Sequence, residues 1–179
     1  MDVEHDFLPQ KCEFRRVNLQ LVVGSEENIS AIQALARVIW NDHYPSIIGQ
    51  DQVDYMLNRF YSHGAMLEQM QHGQQFSLVM LDGVAVGFVA IEQRGEGSYF
   101  LNKFYIDTHC QRRGVGRGVW ELLLTNLTSL CEMRLQVNRQ NHKAINFYFK
   151  MGFVIEQVAD FDIGDGYFMN DFVMLYQRK

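Results

Sequence analysis

Between Phe104 and Gly118 the chain reads Phe-Tyr-Ile-Asp-Thr-His-Cys-Gln-Arg-Arg-Gly-Val-Gly-Arg-Gly. An apolar run leads into a turn with adjacent arginines and spaced glycines, and a helical pattern follows. The first amides of a helix have no intrahelical acceptor and carry the positive end of the helix dipole. Glycine lets a ligand approach such a backbone without a Cβ in the way. Phosphate is the ligand this arrangement fits best. The candidates are Gln111, Arg112, Arg113, Gly114, Val115, Gly116 and Arg117. A P-loop would need GxxxxGK[ST], and neither the lysine nor the hydroxyl is in place. A dinucleotide fingerprint would need GxGxxG and an acid ending the next strand, whereas the sequence has GxGxG and Val137-Asn138. Taken alone, the segment also reads as an ordinary strand–helix turn with surface arginines.

A second block, Leu135 to Phe153, contains Asn141, Ala144 and Tyr148. Asn141 and Tyr148 lie two helical turns apart, so they share a face with Ala144 between them. Ala144, Phe147 and Met151 form a neighbouring stripe suited to the core. A phenol on that face can donate or accept a hydrogen bond, and the plainer reading of Tyr148 is core packing.

Other chemistries find little support. The cysteines are Cys12, Cys110 and Cys131, an odd number with no CxxC pair, and the six histidines show no ligand spacing. No metal site is expected. A net charge of −5 argues against general nucleic-acid binding. No apolar run is long enough for a membrane helix. The acidic start, Met1-Asp2-Val3-Glu4, is unlike a secretory signal, so a cytoplasmic protein is expected.

These residues need elements to hold them. Val17–Val23 alternates as a strand. Ile29, Ile32, Leu35, Ala36, Ile39 and Trp40 mark a helix. Val53, Met56, Leu57 and Phe60 mark a second, with Asp51 as its cap, and Ala65–Met70 a short third. Asp82-Gly83 joins two apolar strands as a hairpin. Tyr99–Ile106 is a strand, and the next helix turns Val119, Leu122, Leu123 and Leu127 inward. A strand over Met133–Val137 and a helix over Asn141–Met151, ended by Gly152, follow. Strands over Val154–Phe161 and Phe168–Tyr176 meet at Gly164-Asp165-Gly166. This order predicts an α/β (α+β) fold. Its central sheet is mixed, mostly antiparallel and of about seven strands, with helices on both faces. One domain over 17–179 follows an extension over 1–16.

Gln111-xx-Gly114-x-Gly116 resembles the Q/R-x-x-G-x-G/A signature of the GNAT acetyltransferases, and Phe104-Tyr105-Ile106 resembles the strand before it. Asn141 to Phe153 is similar to the family's later N-x-x-A-x-x-F-Y-x-x-x-G-F motif. The resemblance implies acetyl-CoA as cosubstrate and direct attack of an amine on the thioester in a ternary complex. It implies that the turn amides hold the pyrophosphate. It also implies a bulge near Tyr105 that exposes backbone to pantetheine, with Phe104, Tyr105 and Ile106 in contact. Asn141 would position pantetheine, Tyr148 would protonate the leaving thiolate, and a backbone N–H near Ile106 would meet the oxyanion. Many relatives carry a glutamate about four residues before the Phe104 position, where this chain has Phe100. Glu92, His43 or a water chain remain as bases.

The C-terminal half most resembles small bacterial polyamine-type N-acetyltransferases. Asp160, Asp162, Asp165 and Asp171 crowd the last hairpin. An acidic mouth would attract a polycation, although a solvated turn explains those acids too. The acceptor expected is a small primary amine, and a homodimer is compatible with the sequence. Two alternatives stay open: a catalytically inactive acyl-CoA sensor or partner module, and a peptide or protein N-acetyltransferase. Ile47, Ile48, Tyr55 and Met56 would line either a pocket or a groove.

Overall fold

The structure is a computed structural model that describes residues 18–110 and 114–179. The expected extension over 1–16 lies outside them, as do Gln111, Arg112 and Arg113. The elements run β1 (Leu19–Val23), α1 (Ile29–His43), α2 (Pro45–Ile48), α3 (Gln50–Tyr61), α4 (His63–Gln71), β2 (Gln75–Leu81) and β3 (Val84–Gly95). They continue with β4 (Ser98–Ile106), α5 (Val115–Asn126), β5 (Glu132–Asn138), α6 (His142–Lys150), β6 (Val154–Gly164) and β7 (Tyr167–Gln177). The seven strands form one sheet in the order β1-β2-β3-β4-β5-β7-β6. Among the described residues only β4 and β5 pair in parallel, which matches the mixed, mostly antiparallel sheet expected.

Alternation along the strands assigns the faces. Val79, Val89, Met133, Leu135 and Met174 pack with Val119, Trp120 and Leu123 of α5 and Ile145 and Tyr148 of α6. On the opposite face Phe76, Leu78, Phe88 and Ala90 pack with Ile32 and Ile39 of α1, Val53 and Met56 of α3, and Met66 of α4. Full burial of one such side chain contributes about 1.5–3 kcal/mol. The β2–β3 hairpin turns at Asp82 and Gly83 with φ of 50° and 84°, the left-handed pair that an Asp-Gly turn supplies.

Several local expectations are corrected. Asp51 does not cap α3; Gly49, at φ 81°, is the N-cap, and Asp51 sits in the first turn. A short helix over Pro45–Ile48 lies between the two expected helices, its proline taking the first helical position. In α5, Trp120 rather than Leu122 joins the buried set, since the helix starts at Val115 and its inward face is rotated accordingly. In α6, Ile145 is the deep core residue beside Tyr148. The expected stripe of Ala144, Phe147 and Met151 is only partly buried against that core.

One irregularity matters for function. Ala90 pairs with Lys103 but Ile91 pairs with Leu101, so Asn102 is an extra residue in β4. This bulge lies three residues before Tyr105, where the resemblance had placed it. It also switches the strand's parity, which puts Leu101 and Phe104 on one face.

Candidate active site

β4 and β5 pair only over Ser98–Leu101 and Glu132–Leu135. Beyond that, β4 follows β3 to Gly87↔Ile106 while β5 follows β7 to Asn138↔Asp171. The sheet therefore opens into a wedge just after the Asn102 bulge. The Asp107 N–H donates to the Val86 carbonyl at 2.8 Å. By ladder alternation, Phe104 and Ile106 turn their backbone groups away from β3, toward the wedge.

A cavity of about 570 Å³ fills this gap and reaches both faces of the sheet. From the α6 side it is lined by Phe104, Ile106, Ala144, Phe147 and Tyr148. From the α1 side come Trp40, His43, Tyr44, Tyr105, Met169 and Asp171. Gly114, Gly116 and Arg117 close one end.

At that end Gly114 caps α5 with φ 73°, a left-handed geometry that glycine adopts freely. Among the described residues, its chain neighbours aside, no atom lies within 4 Å of where its Cβ would be. The first helical bond runs from the Gly118 N–H to the Gly114 carbonyl. The amides of Val115, Gly116 and Arg117 consequently have no acceptor inside the helix. Gly116 has a different task from the one its sequence suggests. A Cβ there would sit 3.2 Å from the Phe147 ring, so the glycine lets α5 approach α6. Val115 is 3% exposed and sends its side chain into the core, so only its backbone faces a ligand. Arg117 lies at the rim and pairs with Glu121 at 2.9 Å.

Asn141 is 4% exposed and caps α6, its Oδ1 accepting the Ala144 N–H at 3.1 Å. His43 Nε2 lies 3.2 Å from the same oxygen. Because that oxygen is an acceptor, Nε2 of His43 carries the proton and donates it. Tyr148 packs against Phe104 and Phe153. Burial raises its phenol well above the usual range, with the Tyr44 phenol adding to the effect. Tyr44 is likewise pushed up to about 12 by burial, with hydrogen bonding to Tyr105 and Asn141 opposing. Burial also raises Tyr105. The phenols around the wedge stay protonated at neutral pH.

The wedge gathers Phe104, Tyr105, Ile106, Gly114, Gly116, Arg117, Asn141 and Tyr148 around one cavity. It does not gather Glu92, which lies on β3 and pairs with Arg94. Phe100 is also elsewhere, beneath the Arg94 guanidinium. Of the four hairpin acids, Asp160 pairs with Arg139. Asp162 accepts the Gly164 N–H within its own turn. Neither these two nor Asp165 lines the cavity; Asp171 does. Sequence reasoning missed Asn102 and the rings of Trp40 and Tyr44, which carry no motif.

The arrangement fits acetyl-CoA on grounds internal to the structure. The α5 amides and the open space over Gly114 suit a pyrophosphate. The wedge exposes strand backbone to an amide-bearing chain. Asn102 Oδ1 is buried at the bulge without a partner among the described residues, an acceptor suited to an N–H from that chain.

Comparison with known proteins identifies the family. The family model described as an acetyltransferase (GNAT) domain matches residues 46–161, so the chain belongs to the GNAT acetyltransferase family. It is similar to a spermidine N(1)-acetyltransferase of Thermoplasma acidophilum, 24% identical over 77% of this chain and 89% of that protein. It is also similar to a probable spermine N(1)-acetyltransferase of Bacillus subtilis subsp. natto, 27% identical over 64% of this chain and 81% of that one. Its fold matches the crystal structure of a PaiA N-acetyltransferase from Thermoplasma acidophilum in complex with coenzyme A. The TM-score is 0.71 at 21% identity, covering 90% of this chain and 99% of that one. As a member of the GNAT acetyltransferase family, the chain takes acetyl-CoA as its cosubstrate. Among the described residues no helix is long and apolar enough to cross a membrane.

Proposed function

We propose that the protein transfers the acetyl group of acetyl-CoA to a primary amine of the polyamine class, by direct attack in a ternary complex. The carrying observation is the polarity of the cavity. Arg117, Lys143 and Lys150 line its α5–α6 side, and Asp171 is the one carboxylate among its described lining residues. A cation-lined end suits the phosphates of the cosubstrate, and an acid on the α1 side suits a cationic acceptor. The relatives named for spermidine and spermine support the same reading.

In this mechanism the α5 amides and Gly114 anchor the pyrophosphate. The wedge would hold pantetheine, with Asn141 and the β4 backbone, Phe104's N–H included, orienting it. Backbone donors at the wedge meet the developing oxyanion. Tyr148, held neutral by burial, protonates the leaving thiolate. Water is excluded by the aromatic lining, which strengthens each polar contact.

The test is CoA release over spermidine, spermine, a monoamine, amino acids and a peptide amine. The polyamines should show the highest kcat/KM. A preference for the peptide over every small amine would instead make this a peptide N-acetyltransferase.

A further inference from the structure

Asp171 is a cavity-facing carboxylate that the fold itself leaves unused. It sits on β7 opposite Asn138, at the mouth of the wedge. It is 5% exposed. By strand parity it shares with Met169 the sheet face covered by α1, whereas Phe172 and Met174 face α6. Among the described residues no hydrogen bond or ion pair reaches its carboxylate. Arg139, the cation that acts on it, is engaged by Asp160.

A buried carboxylate without partners is costly, and it is retained where a ligand completes it. Of the other candidates, Glu92 is outside the cavity and paired with Arg94, and His43 holds its Nε2 proton against Asn141, which leaves only Nδ1 to take a proton. We propose that Asp171 receives the acceptor's ammonium group and takes its proton, serving as the general base of the transfer. This rests on the amine-acetyltransferase reading above and assigns that reaction its missing residue.

The step balances. The ammonium gives one N–H proton to Asp171, and the freed lone pair forms a bond to the thioester carbonyl carbon. The C–S bond breaks with its electron pair on sulfur, and Tyr148 protonates that sulfur. The second proton lost by nitrogen, as it becomes an amide, restores the Tyr148 phenol. Asp171 releases its proton to water. The sum is ammonium plus thioester giving amide, thiol and one proton.

The groups acting on Asp171 are Tyr44 from the α1–α2 junction, Arg139 after β5 and Asp160 on β6. Burial raises its carboxyl to about 6, Arg139 opposing and Asp160 assisting. A base near that value is efficient close to neutral pH.

Asp171→Asn and Asp171→Glu should be compared with the wild type, using spermidine and the amine panel between pH 5.5 and 8.5, with acetyl-CoA affinity measured by calorimetry. Asp171→Asn should lose kcat by about 100-fold or more, with acetyl-CoA Kd within about twofold. The wild-type acid limb near pH 6 should vanish in the residual activity. Asp171→Glu should recover part of the rate. If Asp171→Asn raises KM alone and keeps kcat and the acid limb, Asp171 only attracts the amine and the proton-transfer role is overturned. Wild-type behaviour in Asp171→Asn overturns the assignment altogether while leaving the acetyltransferase reading intact. A wild-type protein that acetylates no amine overturns both.

Discussion

Tyr148 occupies two roles at once. Its ring packs on Phe104 and Phe153 in the core that joins α6 to the sheet, while its position also lines the wedge. Removing the hydroxyl therefore leaves the packing and takes away only the proton. Tyr148→Phe should lower kcat by about 10²-fold with little change in acetyl-CoA affinity, read from steady-state kinetics beside calorimetry. An unaltered kcat would leave Tyr148 as a core residue alone. Asp171 carries a stability consequence as well. Its folded carboxyl titrates near 6, above the usual value of 3.8. Between those values the native state binds more protons than the unfolded one, so this group's contribution falls as pH rises through the window. Asp171→Asn should thus be more stable than wild type at pH 7, by on the order of 2 kcal/mol. The gap should close toward pH 4, as followed by denaturant melts. Helical spacing put Tyr148 and Asn141 on one face, and the family resemblance gave them roles there. Asp171 looked like one of four acids in a turn. Only the pairing of β7 with β5 separates it from Asp160 and Asp162.

Helix α5 shows why a motif can be right in place and wrong in reason. Gly114 and Gly116 satisfy one signature, yet Gly114 is required by a left-handed cap and Gly116 by the Phe147 ring. Their substitutions should separate. Gly114→Val strains the cap by about 1–2 kcal/mol and puts a side chain where phosphate would bind. It should abolish most of the melting-temperature rise that acetyl-CoA produces. Gly116→Ala need only shift an aromatic ring by a few tenths of an ångström. It should lower stability by roughly 1 kcal/mol and keep most of the acetyl-CoA shift. Equal loss in both would return Gly116 to the phosphate site. The bulge in β4 was the least legible element. Its position at Asn102 depends on which β3 residue each β4 residue meets, and no local pattern in Leu101-Asn102-Lys103 states that register.

At the scale of the molecule, the order of strands and helices was readable from period and turn chemistry, because Asp82-Gly83 and Asp165-Gly166 mark two hairpins. The wedge was expected only through family resemblance, since it arises from two strands that part company after four paired residues each. That gap joins a cofactor side to an acceptor side, and inhibitor design follows from it. A compound in which a short bridge ties the CoA sulfur to a polyamine nitrogen could thread the opening and occupy both sides together. Joining the halves makes the second contact intramolecular, and affinity should exceed that of either half by about 10²–10⁴-fold. Such a conjugate should compete with acetyl-CoA and with the amine alike. Shortening the bridge until it no longer spans the sheet should reduce its binding to that of CoA alone.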